Sequence, residues 1–112
     1  MTANLPDKTR LCSLADIPEG GSKGFNYDGR KLFAVKQRGK IYLYQNSCPH
    51  LGIPLEWVED QFLDSSGCMI QCANHGALFV IETGKCVAGP CNGRALIPLN
   101  FHIDDGNIVI ST

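Results

Sequence analysis

The chain has no apolar run near the roughly 18 residues that a membrane-spanning helix needs. It has no charge excess either. Lys and Arg number 10 against 11 Asp and Glu, for a formal net charge of −1. That balance excludes broad binding to nucleic acid or to an anionic membrane surface, both of which need a basic face. Long stretches with apolar residues at i, i+3, i+4 and i+7 are missing, so strong helix signals are scarce. Residues 1–10 lack the apolar core of a secretory signal, and a cytoplasmic setting is expected. There is no linker, repeat or low-complexity segment, and 112 residues support one domain, 1–112.

What the chain does have is short alternating runs between turn residues, and six cysteines. Lys31 to Lys36 and Lys40 to Tyr44 flank Gln37-Arg38-Gly39, a hairpin signal. Cys68 to Cys72 and Ala77 to Ile81 flank the turn-like Ala73-Asn74-His75-Gly76. Ala95 to Ile103 contains Pro98, which demotes it to an edge or irregular strand. Asn107 to Ile110 follows the turn Asp104-Asp105-Gly106. Strands this short predict an all-β fold, an antiparallel barrel or sandwich. Leu51 to Ser66 breaks the pattern and is expected to be a loop with a short helix.

In a reducing cytosol, cysteines clustered with histidines point to metal rather than to disulfides. Two elements carry that chemistry, Cys48-Pro49-His50 and Cys72-Ala73-Asn74-His75. Each offers one thiolate and one imidazole at a turn, where both side chains can face one centre. Zinc sites with two Cys and two His usually pair like with like. A mixed loop suits a two-iron cluster better, because each loop then gives one ligand to each iron. A structural zinc module remains the alternative metal reading.

These elements resemble the Rieske ferredoxins that serve ring-hydroxylating dioxygenases. The likeness covers nearly the whole chain. Leu11-Cys12 and Asp16-Ile17-Pro18-Glu19-Gly20 look like the opening strand and turn. Cys48 to Leu55 looks like the first cluster loop, and Cys72 to Phe79 with Thr83-Gly84 looks like the second loop and its exit. Ala88-Gly89-Pro90 looks like the proline loop over the cluster. The stretch from His50 to Cys72 is a few residues longer than is usual there.

The resemblance implies a three-sheet fold with one [2Fe–2S] cluster at a tip. Cys48, His50, Cys72 and His75 are the implied ligands, and the His-ligated iron is implied to lie nearest solvent. It further implies a soluble one-electron carrier, not itself an enzyme, between an NAD(P)H-dependent ferredoxin reductase and a terminal oxygenase. A small subunit of a larger redox enzyme, of the nitrite-reductase kind, is the rival. High-potential respiratory Rieske proteins have Ser and Tyr two and four residues after the second ligand His, where this chain has Ala77 and Phe79. They also have a disulfide between the two cluster loops, where this chain has Ile53 and Asn74. A potential in the lower part of the Rieske range is therefore expected.

The remaining reactive residues are assigned structural roles. Alternation puts Cys68 on the face of Ile70 and Cys72, predicting a buried thiol, and Cys12 is read likewise. Cys86 and Cys91, five apart around the third loop, are expected as thiols in a reducing cytosol, with a bridge under oxidation as the alternative, and His102 is expected as an exposed strand residue. Trp57 with Glu56, Glu59, Asp60 and Asp64 fits either an acidic docking patch or a solvated loop with one anchoring Trp. Pro49, Leu51, Gly52, Gly76 and Pro90 are expected to shape and shield the cluster.

Overall fold

The computed structural model describes residues 10–27, 29–49, 54–56, 58–73, 76–89 and 93–110. His50, Leu51, Gly52, Ile53, Trp57, Asn74, His75, Pro90 and Cys91 lie outside the described residues, and so do the expectations placed on them.

The described chain is built from strands, with one 3-10 turn at Leu14–Asp16. The strands are β1 Arg10–Ser13, β2 Ser22–Tyr27, β3 Arg30–Gln37, β4 Lys40–Gln45 and β5 Met69–Gln71. They continue with β6 Leu78–Val80, β7 Cys86–Ala88, β8 Phe101–Asp104 and β9 Asn107–Ile110. They form three antiparallel sheets, ordered β1-β9-β8, β2-β3-β4 and β5-β6-β7. No helix among the described residues is long and apolar enough to cross a membrane.

The hairpin signals are realised as two-residue turns with both residues at positive φ. Arg38 (φ 53°) and Gly39 (φ 75°) join β3 to β4, and Asp105 (φ 52°) and Gly106 (φ 77°) join β8 to β9. This geometry matches the twist of the flanking strands. The Glu19 carboxylate accepts from the Arg38 and Gly39 N–H groups, which holds its pKa below the usual carboxylate range.

The middle of β3 is a continuous apolar run, Leu32-Phe33-Ala34-Val35, buried on both faces. Successive strand residues point to opposite faces, so the β2-β3-β4 sheet divides the interior. Phe33 and Val35 join Ile70, Phe79 and Ile81 of the β5-β6-β7 side. Leu32 and Ala34 join Cys12, Ile108 and Ile110 of the β1-β9-β8 side.

Two expectations need correction. Cys68 is exposed, not buried. It precedes β5, in a turn where its N–H donates to the Ser66 hydroxyl, so strand alternation does not reach it. The described part of 51–66 contains no helix. Its backbone is drawn out beside β5 by the Leu63–Ile70 bridge and by Gln71 N–H donating to Phe62 O. Pro98 behaves as expected of an irregular edge. Gln45 N–H donates to Ile97 O and Leu99 N–H to Leu43 O, while Pro98, with no N–H, makes only an isolated bridge to Tyr44. His102 is exposed on β8.

Candidate metal centre

Cys48 follows β4 by a short turn, and Cys72 directly follows β5. Both side chains are fully buried, within the same core cluster as Phe79, Ile81 and Cys86. Both are thiols rather than halves of a disulfide. Cys48 thus leaves the β2-β3-β4 sheet and Cys72 the β5-β6-β7 sheet, and both lie in one core cluster. His50 and His75, the expected imidazole ligands, lie outside the described residues, and the described ones form no group of three or more metal-ligating side chains.

Backbone bonds shape the loops around the thiols. Gly76 N–H donates to Cys72 O at 2.8 Å, and Cys72 N–H donates to Ala77 O at 2.9 Å. These two bonds join Cys72 to Gly76 and Ala77. Gly76 takes φ 73°, a conformation glycine enters without steric cost. Ala73 N–H donates to Leu55 O at 2.8 Å, tying the second loop to the chain that leaves the first. Arg94 Nη1 donates to the carbonyl of Pro49, the residue next to Cys48, at 2.8 Å.

The third loop approaches from β7. Gly89 sits so close that a Cβ there would come within 2.8 Å of Ala77 Cα. Gly93 shares its φ of 92° but has open space where its Cβ would be. Both Ala substitutions carry backbone strain of about 1–3 kcal/mol, and only Gly89→Ala adds a clash against the second cluster loop. Gly89→Ala is therefore expected to lower the thermal midpoint more than Gly93→Ala. Equal effects would show that the loops are not in register at Ala77.

Among the described residues, no buried side-chain nitrogen or oxygen lacks a hydrogen-bond partner. Tyr44 donates its hydroxyl to Ile81 O at 2.6 Å, and burial, with Tyr42 and Glu82 adding to it, pushes its pKa up to about 12. The Cys86 thiol donates to Ala88 O at 3.2 Å. The acids of the long segment hold the fold together. Asp60 Oδ1 accepts from Gly24 N–H, Asp60 O accepts from the Ser22 hydroxyl, and Glu56 accepts from Asn46. Asp64 accepts from the Ser66 hydroxyl and from neighbouring backbone N–H groups, which lowers its pKa. Glu59 is exposed. Sequence reading missed Asn46 and Arg94, because neither belongs to a ligand motif and both act through partners distant in the chain.

The Rieske [2Fe-2S] domain family matches residues 7–103, most of the chain. The protein belongs to that family. Among Rieske relatives, the cytochrome b6-f complex iron-sulfur subunit of Chlorobaculum tepidum is 31% identical over 97 residues, covering 87% of this chain and 49% of that subunit. The ferredoxin component of the naphthalene 1,2-dioxygenase system of Pseudomonas aeruginosa is 32% identical over 78 residues, 70% of each chain. The solved structure of the Sphingomonas yanoikuyae B1 ferredoxin superimposes with a TM-score of 0.74 at 26% identity, covering 92% of this chain and 96% of that one. The chain thus spans about half of the cytochrome subunit, and nearly all of the Sphingomonas ferredoxin.

The donors present fit the [2Fe–2S] cluster of a Rieske domain. Two buried thiols stand on two tied loops, in the order of the Cys-x-His and Cys-x-x-His elements. The three-sheet architecture expected from the resemblance is the one observed.

Proposed function

We propose that Cys48 and Cys72 hold one iron of the [2Fe–2S] cluster and that His50 and His75 hold the other. We further propose that the chain carries single electrons from an NAD(P)H-dependent reductase to a terminal oxygenase. The observation that carries this reading is the burial of the Cys48 and Cys72 thiols in one cluster, on loops joined by the Ala73–Leu55 hydrogen bond. The cluster supplies one-electron redox chemistry. The chain orients the donors, excludes water from the thiolates and holds the loops still. The likeness to the naphthalene dioxygenase ferredoxin component supports the partner assignment. Encounters with both partners are brief, through small charge-steered contacts, and the proposed setting is the cytoplasm.

The similarity to a cytochrome b6-f subunit favours a second reading, a high-potential centre. The residues near the second loop speak against it. Ala77 and Phe79 are both fully buried and have no hydroxyl to donate toward a sulfur. A hydrogen bond to a cluster sulfur stabilises the more negative, reduced state and raises the potential. A midpoint in the lower part of the Rieske range of about −150 to +300 mV is therefore expected. The test is an absorption spectrum, paramagnetic resonance after dithionite reduction, and a redox titration. A red-brown protein with a low-average-g signal when reduced and a low midpoint supports the carrier. A midpoint near the top of the range supports the cytochrome-type reading. A colourless protein with one zinc and no acid-labile sulfide removes both.

A further inference from the structure

Asn46 is the one buried polar side chain among the described residues. It follows the end of β4 and stands two residues before Cys48. Its backbone N–H donates to Lys31 O at 2.8 Å, fixing it against β3. Its side chain reaches the far side of the first loop. Oδ1 accepts from Leu55 N–H at 2.8 Å, and Nδ2 donates to Glu56 Oε1 at 2.9 Å. The carbonyl of the same Leu55 accepts from Ala73 N–H, the residue after Cys72. One short relay, Asn46 to Leu55 to Ala73, therefore runs from the approach to one thiol to the exit from the other.

We infer that Asn46 and Glu56 are a positioning pair that sets the spacing of the two cluster-bearing loops. The inference rests on the ligand assignment proposed above. An amide has one accepting end and one donating end, whereas an ionised carboxylate only accepts. Glu56 therefore turns the Asn46 amide so that Nδ2 faces it and Oδ1 is left for Leu55. Leu55 is fully buried, so its N–H has no water to turn to if that acceptor moves away. The pair also borders a surface depression of about 180 Å³ that Lys31, Glu59 and Asp60 line. The Asn46–Glu56 end of the relay thus borders the surface.

The test is a charge swap. Asn46→Asp sets two carboxylates against each other and removes the donor. Adding Glu56→Gln restores one, because the new glutamine amide donates to the new aspartate, whose other oxygen accepts from Leu55 N–H. Iron and acid-labile sulfide in the unmodified chain are measured first. Their absence overturns the ligand assignment and leaves the pair testable by amide exchange alone. In N46D, exchange at Leu55 and Ala73 is expected to be roughly tenfold faster, from loss of a buried hydrogen bond. Iron loss to a chelator speeds up, and the g values of the reduced protein move. In N46D/E56Q all three return toward those of the unmodified chain. If N46D does not accumulate, recovery of folded, cluster-loaded protein in the double variant supports the pair. Exchange in N46D unchanged from the unmodified chain, or a double variant no better than N46D, overturns it. So do native g values in N46D beside a lowered melting temperature, which mark a purely structural residue.

Discussion

Cys48→Ser is expected to leave the folded protein without iron or acid-labile sulfide, and Cys72→Ser is expected to do the same. The argument begins with charge. Two ferric ions, two sulfides and two thiolates sum to zero, with neutral imidazoles completing the shell. A thiol ionises near pH 8.5 and lower still beside a metal. An unperturbed serine hydroxyl has no such access to its anion at neutral pH. Losing one thiolate leaves a net positive core with an open position in a fully buried pocket, where an uncompensated charge is most costly.

The control is Cys68→Ser. Cys68 is exposed and its thiol reaches only Ser66 O, at 3.8 Å. Its cluster content should equal that of the unmodified chain. Cys86 is a sharper control because it is buried in the same cluster as Cys48 and Cys72. Its thiol is directed to Ala88 O instead, so Cys86→Ser should keep the cluster while changing its stability. Iron and sulfide assays on the four variants decide the matter. Full content in Cys48→Ser, or its loss in Cys86→Ser, sinks the ligand assignment.

The candidate ligand elements could be singled out in the sequence because each is local. A Cys and a His two or three positions apart at a turn announce their chemistry without knowledge of the fold. The hairpins were legible for the same reason, since Gly39 and Gly106, with no Cβ, mark the positive-φ turns within their own tripeptides. β2 was not. Ser22–Tyr27 contains Gly24 and Asn26, both poor strand formers. It is a strand because it pairs with β3 along its whole length. The long segment misled for a related reason. Its acids look like a solvated face in the sequence, yet Asp60 accepts from Gly24 N–H, 36 residues away and brought to it by folding. Cys68 shows the limit of alternation, which applies only between residues of the same strand. Asn46 lies beyond any local rule, because its partners Lys31, Leu55 and Glu56 converge on it only in the folded chain.

The long segment also carries the largest expected effect on stability, at Phe62. Its ring stacks on Phe33 with centroids 4.5 Å apart and planes 6° from parallel. β2 makes room for it at Gly24, where a Cβ would lie 3.1 Å from Phe62 Cζ. The backbone of Phe62 is held on both sides, its N–H by the Ser22 hydroxyl and its carbonyl by Gln71 N–H. Phe62 therefore joins the β2-β3-β4 sheet to β5, next to Cys72. Truncating a fully buried phenylalanine costs about 3–5 kcal/mol in lost transfer energy and cavity. Whole domains of this size are stable by only about 5–15 kcal/mol. Phe62→Ala should lower the thermal midpoint by more than about 10 °C, and should speed cluster loss because Gln71 leads directly into the second cluster loop. Val58→Ala, in the same segment but 56% exposed, should stay within about 0.5 kcal/mol of the unmodified chain. Thermal unfolding of both variants, followed in the far ultraviolet and at the cluster's visible absorption, separates the two effects. A Phe62→Ala protein that melts with the Val58→Ala control shows that the long segment is an ornament on the fold. A large loss at both wavelengths shows that it is the wall between the central sheet and the cluster.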